Sequence, residues 1–195
     1  MMRMLVAGLL SLFTGFTYGA VLYVADLSGL NEAPPNASPG TGTALAIYDS
    51  ALHTLHVEAS FSGLLGPTSA AHIHCCTAVP GVAPIGVATQ TPSFIGFPLG
   101  VTSGTFSNTY DLTQAGSWNM AFITANGGTP AGAEAALALG LDQGRAYFNI
   151  HTALPLGFPG GEILGFLQVP EPGTLALLGL GFVLVAFVLR RRRIR

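Results

Sequence analysis

Residues 72–76 read His-Ile-His-Cys-Cys, four metal-binding side chains within five positions. In a strand, residues i and i+2 point to one face, so the imidazoles of His72 and His74 can converge on one ion. Imidazole pairs suit zinc, copper or nickel. His151 and Glu162 join them if strands over 145–152 and 161–168 form a hairpin around a loop at 153–160. That register sets 152 opposite 161 and 151 opposite 162, with His151 and Glu162 on one face within side-chain reach. Three histidines and a carboxylate make an adequate ligand set. Two other readings of the same residues stand beside this one. They are a hydrogen-bonded polar network at a sheet edge, with Glu162 accepting, and a catalytic centre.

Cys75 and Cys76 are the only two cysteines. Adjacent Cα atoms lie about 3.8 Å apart, below the roughly 4.4–6.8 Å of an ordinary disulfide. A vicinal bond fixing the turn after the strand is the first reading. Pairing between molecules, or thiolates lent to a metal at His72 and His74, are the others. His53 and His56 fall on opposite faces of their strand and do not act as a pair. Trp118 alternates with Met120 and Phe122, which suits a core, and Glu32 is given a structural role. Neither a Gly-x-Ser-x-Gly elbow nor a phosphate loop occurs, and no Ser-His-Asp set is identifiable. No enzyme is needed to explain the sequence.

The elements that must position these groups are short apolar runs between Gly, Pro, Ser and Thr clusters, the pattern of a β-sandwich or barrel. Leu55, Val57, Ala59 and Phe61 alternate with His56, Glu58 and Ser60, the period of a half-buried strand. Further strands are expected over 21–28, 43–49, 70–74, 102–110, 118–124, 145–151 and 162–168. One helix is expected, with Thr129 as N-cap, Pro130 first, Ala131 to Leu139 as its body and Gly140 closing it. The expected fold is all-β, an antiparallel, Greek-key-like β-sandwich or barrel with one short helix and a C-terminal transmembrane helix.

Charge narrows the function. All seven bases are Arg, and six of them lie in the terminal segments. Between residues 21 and 170 eight carboxylates face the single base Arg145, a net of −7 with His neutral. Nucleic-acid binding needs clustered Lys or Arg and is excluded.

The two ends carry addressing information. Met1-Met2-Arg3-Met4 and the apolar stretch from Leu5 to Phe16, followed by small residues, read as a signal peptide over 1–20. At the other end Val169-Pro170-Glu171-Pro172 (169–172) precedes an uncharged apolar run over 174–189 and the Arg-rich tail 190–195. Such a run makes a helix of about 24 Å, short for a hydrocarbon core near 30 Å but within reach of one that thins. Under the positive-inside rule the arginines stay cytoplasmic and the domain lies outside.

Pro170, Glu171 and Pro172, the apolar helix and the arginine cluster together resemble the PEP-CTERM sorting signal of Gram-negative bacteria. The resemblance implies passage through the export translocon and transient recognition by an exosortase, a membrane protease-transpeptidase that removes the tail. The inner membrane is then only a stage, and the final address is the cell surface or the extracellular space. Leu30-Asn31-Glu32-Ala33-Pro34-Pro35, Ala71-His72-Ile73-His74, Asn149-Ile150-His151-Thr152 and Gly160-Gly161-Glu162-Ile163 occur in the order of the chordin-type CHRD domain, which the middle of the chain, 21–168, resembles. The His-x-His strand is also similar to that of copper-zinc superoxide dismutase, without that enzyme's further ordered histidines or its disulfide. The expectation is an exosortase-processed envelope or extracellular-matrix protein with a non-catalytic binding or structural module, set among extracellular polysaccharide. The alternative is a copper- or zinc-binding, redox-active protein using His72, His74, His151 and Glu162.

Overall fold

A computed structural model describes residues 19–170. The signal peptide and the transmembrane helix expected over 174–189 lie outside them. Among the described residues no helix is long and apolar enough to cross a membrane.

Seven strands form one antiparallel sheet, curled into a half-barrel. They are β1 (Val21–Ser28), β2 (Thr41–Asp49), β3 (Thr54–Ser62), β4 (Thr68–His74), β5 (Gly104–Asp111), β6 (Tyr147–Thr152) and β7 (Ile163–Phe166). Their spatial order is β4-β6-β7-β1-β2-β3-β5. Period-two alternation gives the sheet one apolar face. Tyr23, Ala25 and Leu27 of β1, Leu55, Val57, Ala59 and Phe61 of β3, and Ile73, Phe148, Ile150 and Ile163 of β4, β6 and β7 turn inward and are buried. Phe94, Phe106, Tyr110 and Phe148 stack within this core, with centroids 5.1–6.1 Å apart around Phe94.

The chain between β4 and β5 runs back along the free edge of β4. Ala88 N–H donates to Ile73 O (3.0 Å), Phe94 N–H to Ala71 O (3.1 Å) and Gly100 N–H to Thr68 O (2.8 Å). An edge that would otherwise offer unpaired backbone groups is thereby covered.

The expected strand over 118–124 is not one. Asn119 accepts from Ala121 N–H at 3.0 Å and caps the helix α1 (Met120–Ala125). An Asx cap of this kind diverts a locally alternating segment into a helical turn. Trp118 and Phe122 are buried there, as a core reading requires, whereas Met120 is exposed.

The expected helix is α2 (Pro130–Asp142), capped by Thr129 with Pro130 in its first turn. It runs through Gly140 rather than stopping there. A Cβ at Gly140 would overlap the sulfurs of Cys75 and Cys76, so this glycine serves close packing and not termination. Ala133, Leu137 and Leu141, four apart, form the buried stripe. Glu134, also buried, accepts from Tyr48 Oη at 3.0 Å and meets His53 Nδ1 at 3.0 Å, pinning α2 to the β2–β3 hairpin.

Candidate metal centre

β4 and β6 pair antiparallel, with Ala70 opposite His151, His72 opposite Asn149 and His74 opposite Tyr147. Directly opposed residues share a face. His72, His74, Asn149, His151 and Tyr147 therefore stand together on the face turned away from Ile73, Phe148 and Ile150. His72 and His74 are only 6% and 7% exposed. One nitrogen from each of His72, His74 and His151 lies within 4.8 Å of the others. The ring centroids are 5.2–5.7 Å apart, and Tyr147 stacks on His74 at 4.8 Å.

Each ring is held by its outward nitrogen. His72 Nε2 donates to Pro92 O (2.7 Å), His74 Nδ1 to Ile85 O (2.8 Å) and His151 Nδ1 to Pro159 O (3.0 Å). A carbonyl only accepts, so the bonded nitrogen carries the proton and the other keeps its lone pair. Those other atoms, His72 Nδ1, His74 Nε2 and His151 Nε2, are buried and have no partner. Carbonyl-anchored imidazoles with converging free lone pairs are what metal-ligating histidines present. An ion about 2.0–2.1 Å from each nitrogen fits if each ring leans inward by less than about 1 Å.

Burial disfavours the charged rings. It lowers His72 and His74 to about 4, against the pull of their carbonyl hydrogen bonds, and His151 is lowered for the same reason. All three are neutral at pH 7, the form that binds metal.

Glu162 is not part of this cluster. The β6–β7 register is as expected up to its last pair, Ile150 opposite Ile163. Beyond it Gly161, at φ +137°, turns the chain, and Glu162 N–H bonds to Ile150 O at 2.8 Å. The carboxylate lies fully buried on the face of Thr152, not that of His151. It accepts from Thr152 Oγ1 (2.5 Å), Ser38 Oγ (2.6 Å), Leu65 N–H (2.6 Å) and Gly66 N–H (3.3 Å). Four donors saturate it, and its work is to tie the β1–β2 and β3–β4 loops to β6.

Cys75 and Cys76 are bonded to each other. Cys75 follows His74 by one residue and so turns to the opposite face, where it is buried against α2. Cys76 Sγ lies 3.3 Å from Ala136 O. Neither sulfur reaches the histidines as a ligand.

Two residues near the cluster belong to the quoted motifs but were not expected in the metal site. Asn149 is 2% exposed and Glu32 is 8% exposed. Burial raises the Glu32 carboxyl to about 7, against the lowering pull of the nearby Ala33 N–H and Asn149 amide. Asn31 holds this segment against β7, donating to Leu164 O (3.0 Å), and Asn36 ties it to the residue before β7, donating to Glu162 O (3.1 Å). Asn149 was legible as the residue two before His151 on the same strand face. Glu32 lies in the Leu30–Pro35 motif, but nothing local set it beside Asn149.

The domain model of the CHRD domain matches residues 23–167, most of the chain. This protein belongs to the CHRD family. Immediately after the CHRD domain, residues 168–193 match the PEP-CTERM protein-sorting motif. The CHRD domain is thus carried by a chain marked for export and for exosortase processing at the membrane. No curated protein and no solved structure matches the chain. Elsewhere on the CHRD domain, His56 bridges Thr109 Oγ1 (2.8 Å) and Glu58 Oε1 (3.0 Å) on the outer sheet face. A trough of about 590 Å³ lies on that face and includes Glu58, but none of the three clustered histidines lines it. β3 is paired on both sides by β2 and β5, so its backbone N–H groups are already used and supply no oxyanion site to the His56 row.

Proposed function

We propose that the CHRD domain is a non-catalytic, transition-metal-binding module that takes one copper or zinc ion between His72, His74 and His151. The observation that carries this reading is the set of three buried, unpartnered imidazole nitrogens facing one another, each ring locked by a carbonyl on its far side. A buried polar atom without a partner costs about 1–3 kcal/mol, and three of them at one point are a cost that a bound ion removes. Imidazole donors favour copper and zinc over calcium or magnesium. The setting is the envelope or extracellular matrix of a Gram-negative cell, among polysaccharide, after an exosortase has removed the tail.

Metal analysis of the exported protein, purified without chelator, tests the reading. One equivalent of copper or zinc is expected, and it should be lost in His72→Ala/His74→Ala while the β-sheet circular-dichroism signal persists. Wild-type protein that stays metal-free after incubation with either ion would leave the histidines as a polar network in a structural module.

A further inference from the structure

Five buried side-chain atoms among the described residues have no hydrogen-bond partner: Glu32 Oε1, His72 Nδ1, His74 Nε2, Asn149 Oδ1 and His151 Nε2. All five belong to one neighbourhood. Asn149 is the direct ladder partner of His72 and shares its strand face with His151. Its amide in turn meets the Glu32 carboxyl. A Cβ on Gly161 would sit 2.5 Å from Asn149 Nδ2 and 2.6 Å from Glu32 Oε1. Only a residue without a side chain leaves that space open, and its φ of +137° is one that glycine alone adopts readily.

The chemistry of the five atoms divides them. Three are imidazole lone pairs, which want a Lewis acid. Two are oxygens of a carboxyl and an amide, which want hydrogen donors. An ion alone satisfies the first group and leaves the second untouched. Three neutral imidazoles also leave a zinc or copper ion short of its usual four ligands. A water molecule in the fourth position meets both needs, because its oxygen binds the ion and its two hydrogens face two acceptors.

We propose that Glu32 and Asn149 form the second half of the metal site and hold a water or hydroxide in the fourth coordination position, where a small anion can replace it. This rests on the three-histidine reading above. Glu32 acts as a positioning residue: its oxygen orients the exchangeable ligand, and in its ionised form its negative charge disfavours anions at that point. The Leu30–Pro35 segment, held on β7 by Asn31, is the arm that delivers it.

The test uses the copper-loaded exported protein. Pulsed electron paramagnetic resonance after transfer to heavy water should show strongly coupled deuterons from a coordinated water. Optical titration with azide at about pH 8.5, where the Glu32 carboxyl is ionised, should give an affinity about fivefold or more higher in Glu32→Gln than in wild type, because a repelling charge beside the ligand is gone. Copper stoichiometry should be the same in both. If copper binds wild type but no exchangeable deuteron is seen, or azide affinity does not change, the three-histidine site stands and this inference falls. Loss of copper from a folded Glu32→Gln protein would overturn it in favour of direct ligation by Glu32. A wild type that binds no copper would overturn both readings.

Discussion

His72 stands directly across the β4–β6 ladder from Asn149, so one strand pair places a buried imidazole with a free nitrogen beside a buried amide oxygen. The sheet supplies this pairing with no help from a loop. Both residues face away from the core, where Ile73 and Phe148 occupy the alternate positions. The site is thus rigid on its sheet side, while loop carbonyls fix its outer side.

His151→Ala should weaken copper or zinc binding by at least about 100-fold, since one of three ligands is lost. Isothermal titration calorimetry gives the comparison. Added metal should raise the melting temperature of wild type but not of the variant.

Glu162→Gln should leave the metal stoichiometry unchanged and destabilise the domain by roughly 2–4 kcal/mol, because charge-assisted acceptors for four donors are weakened or mismatched. Urea denaturation of the metal-free protein measures the loss. Metal loss without destabilisation would contradict the placement of Glu162 on the Thr152 face.

Gly140→Ala should cost about 2 kcal/mol or more, since the added methyl meets the sulfurs of Cys75 and Cys76 at a close helix–strand contact. The effect belongs to stability alone. Metal affinity per folded molecule should be unchanged.

Acid should destabilise the metal-free domain. The folded-state values of His72 and His74 are lowered to about 4, so their contribution is complete above the unfolded value near 6.5 and is lost as pH falls toward 4. Glu32, raised to about 7, works the other way: its contribution is present below about 4.5 and is lost as pH rises through 7. Two histidines against one carboxyl leave a net loss of roughly 1–2 kcal/mol between pH 6.5 and 5. Glu32→Gln removes the opposing group and should steepen that loss, measured by urea midpoints across the range.

Alanines at Pro170, Glu171 and Pro172 should leave a longer, membrane-retained product in the native host, seen by immunoblotting of fractions. Unchanged processing would reduce the tail to an ordinary anchor.

Strand parity carries over to the folded chain where it is undisturbed. Strand parity placed His72 and His74 on one face, and the same rule set the β6–β7 register as far as Ile150 and Ile163. Parity also bears on Cys75, which as the next residue after His74 must turn the other way. The cap at Asn119 was the signal missed at 118–124, since an alternating apolar pattern and a short capped helix look alike over six residues.

Export and sorting were legible in composition and order, because a membrane handle is a continuous stretch of chain. His72 and His74 were legible as a pair because β-strands repeat every two residues, whereas the β4–β6 pairing is what brings His151 to them. Which carboxylate lies beside Asn149, the ladder partner of His72, was decided only by the tertiary structure. Glu162 adjoins them in sequence register but is turned aside at Gly161, while Glu32 arrives from the β1–β2 loop more than a hundred residues from its partner Asn149. The carbonyls of Ile85, Pro92 and Pro159 that aim the rings come from loops in the same way. Strand alternation is a local rule and survives in one dimension. The approach of loops across the sheet depends on how the whole chain closes, and no short pattern records it.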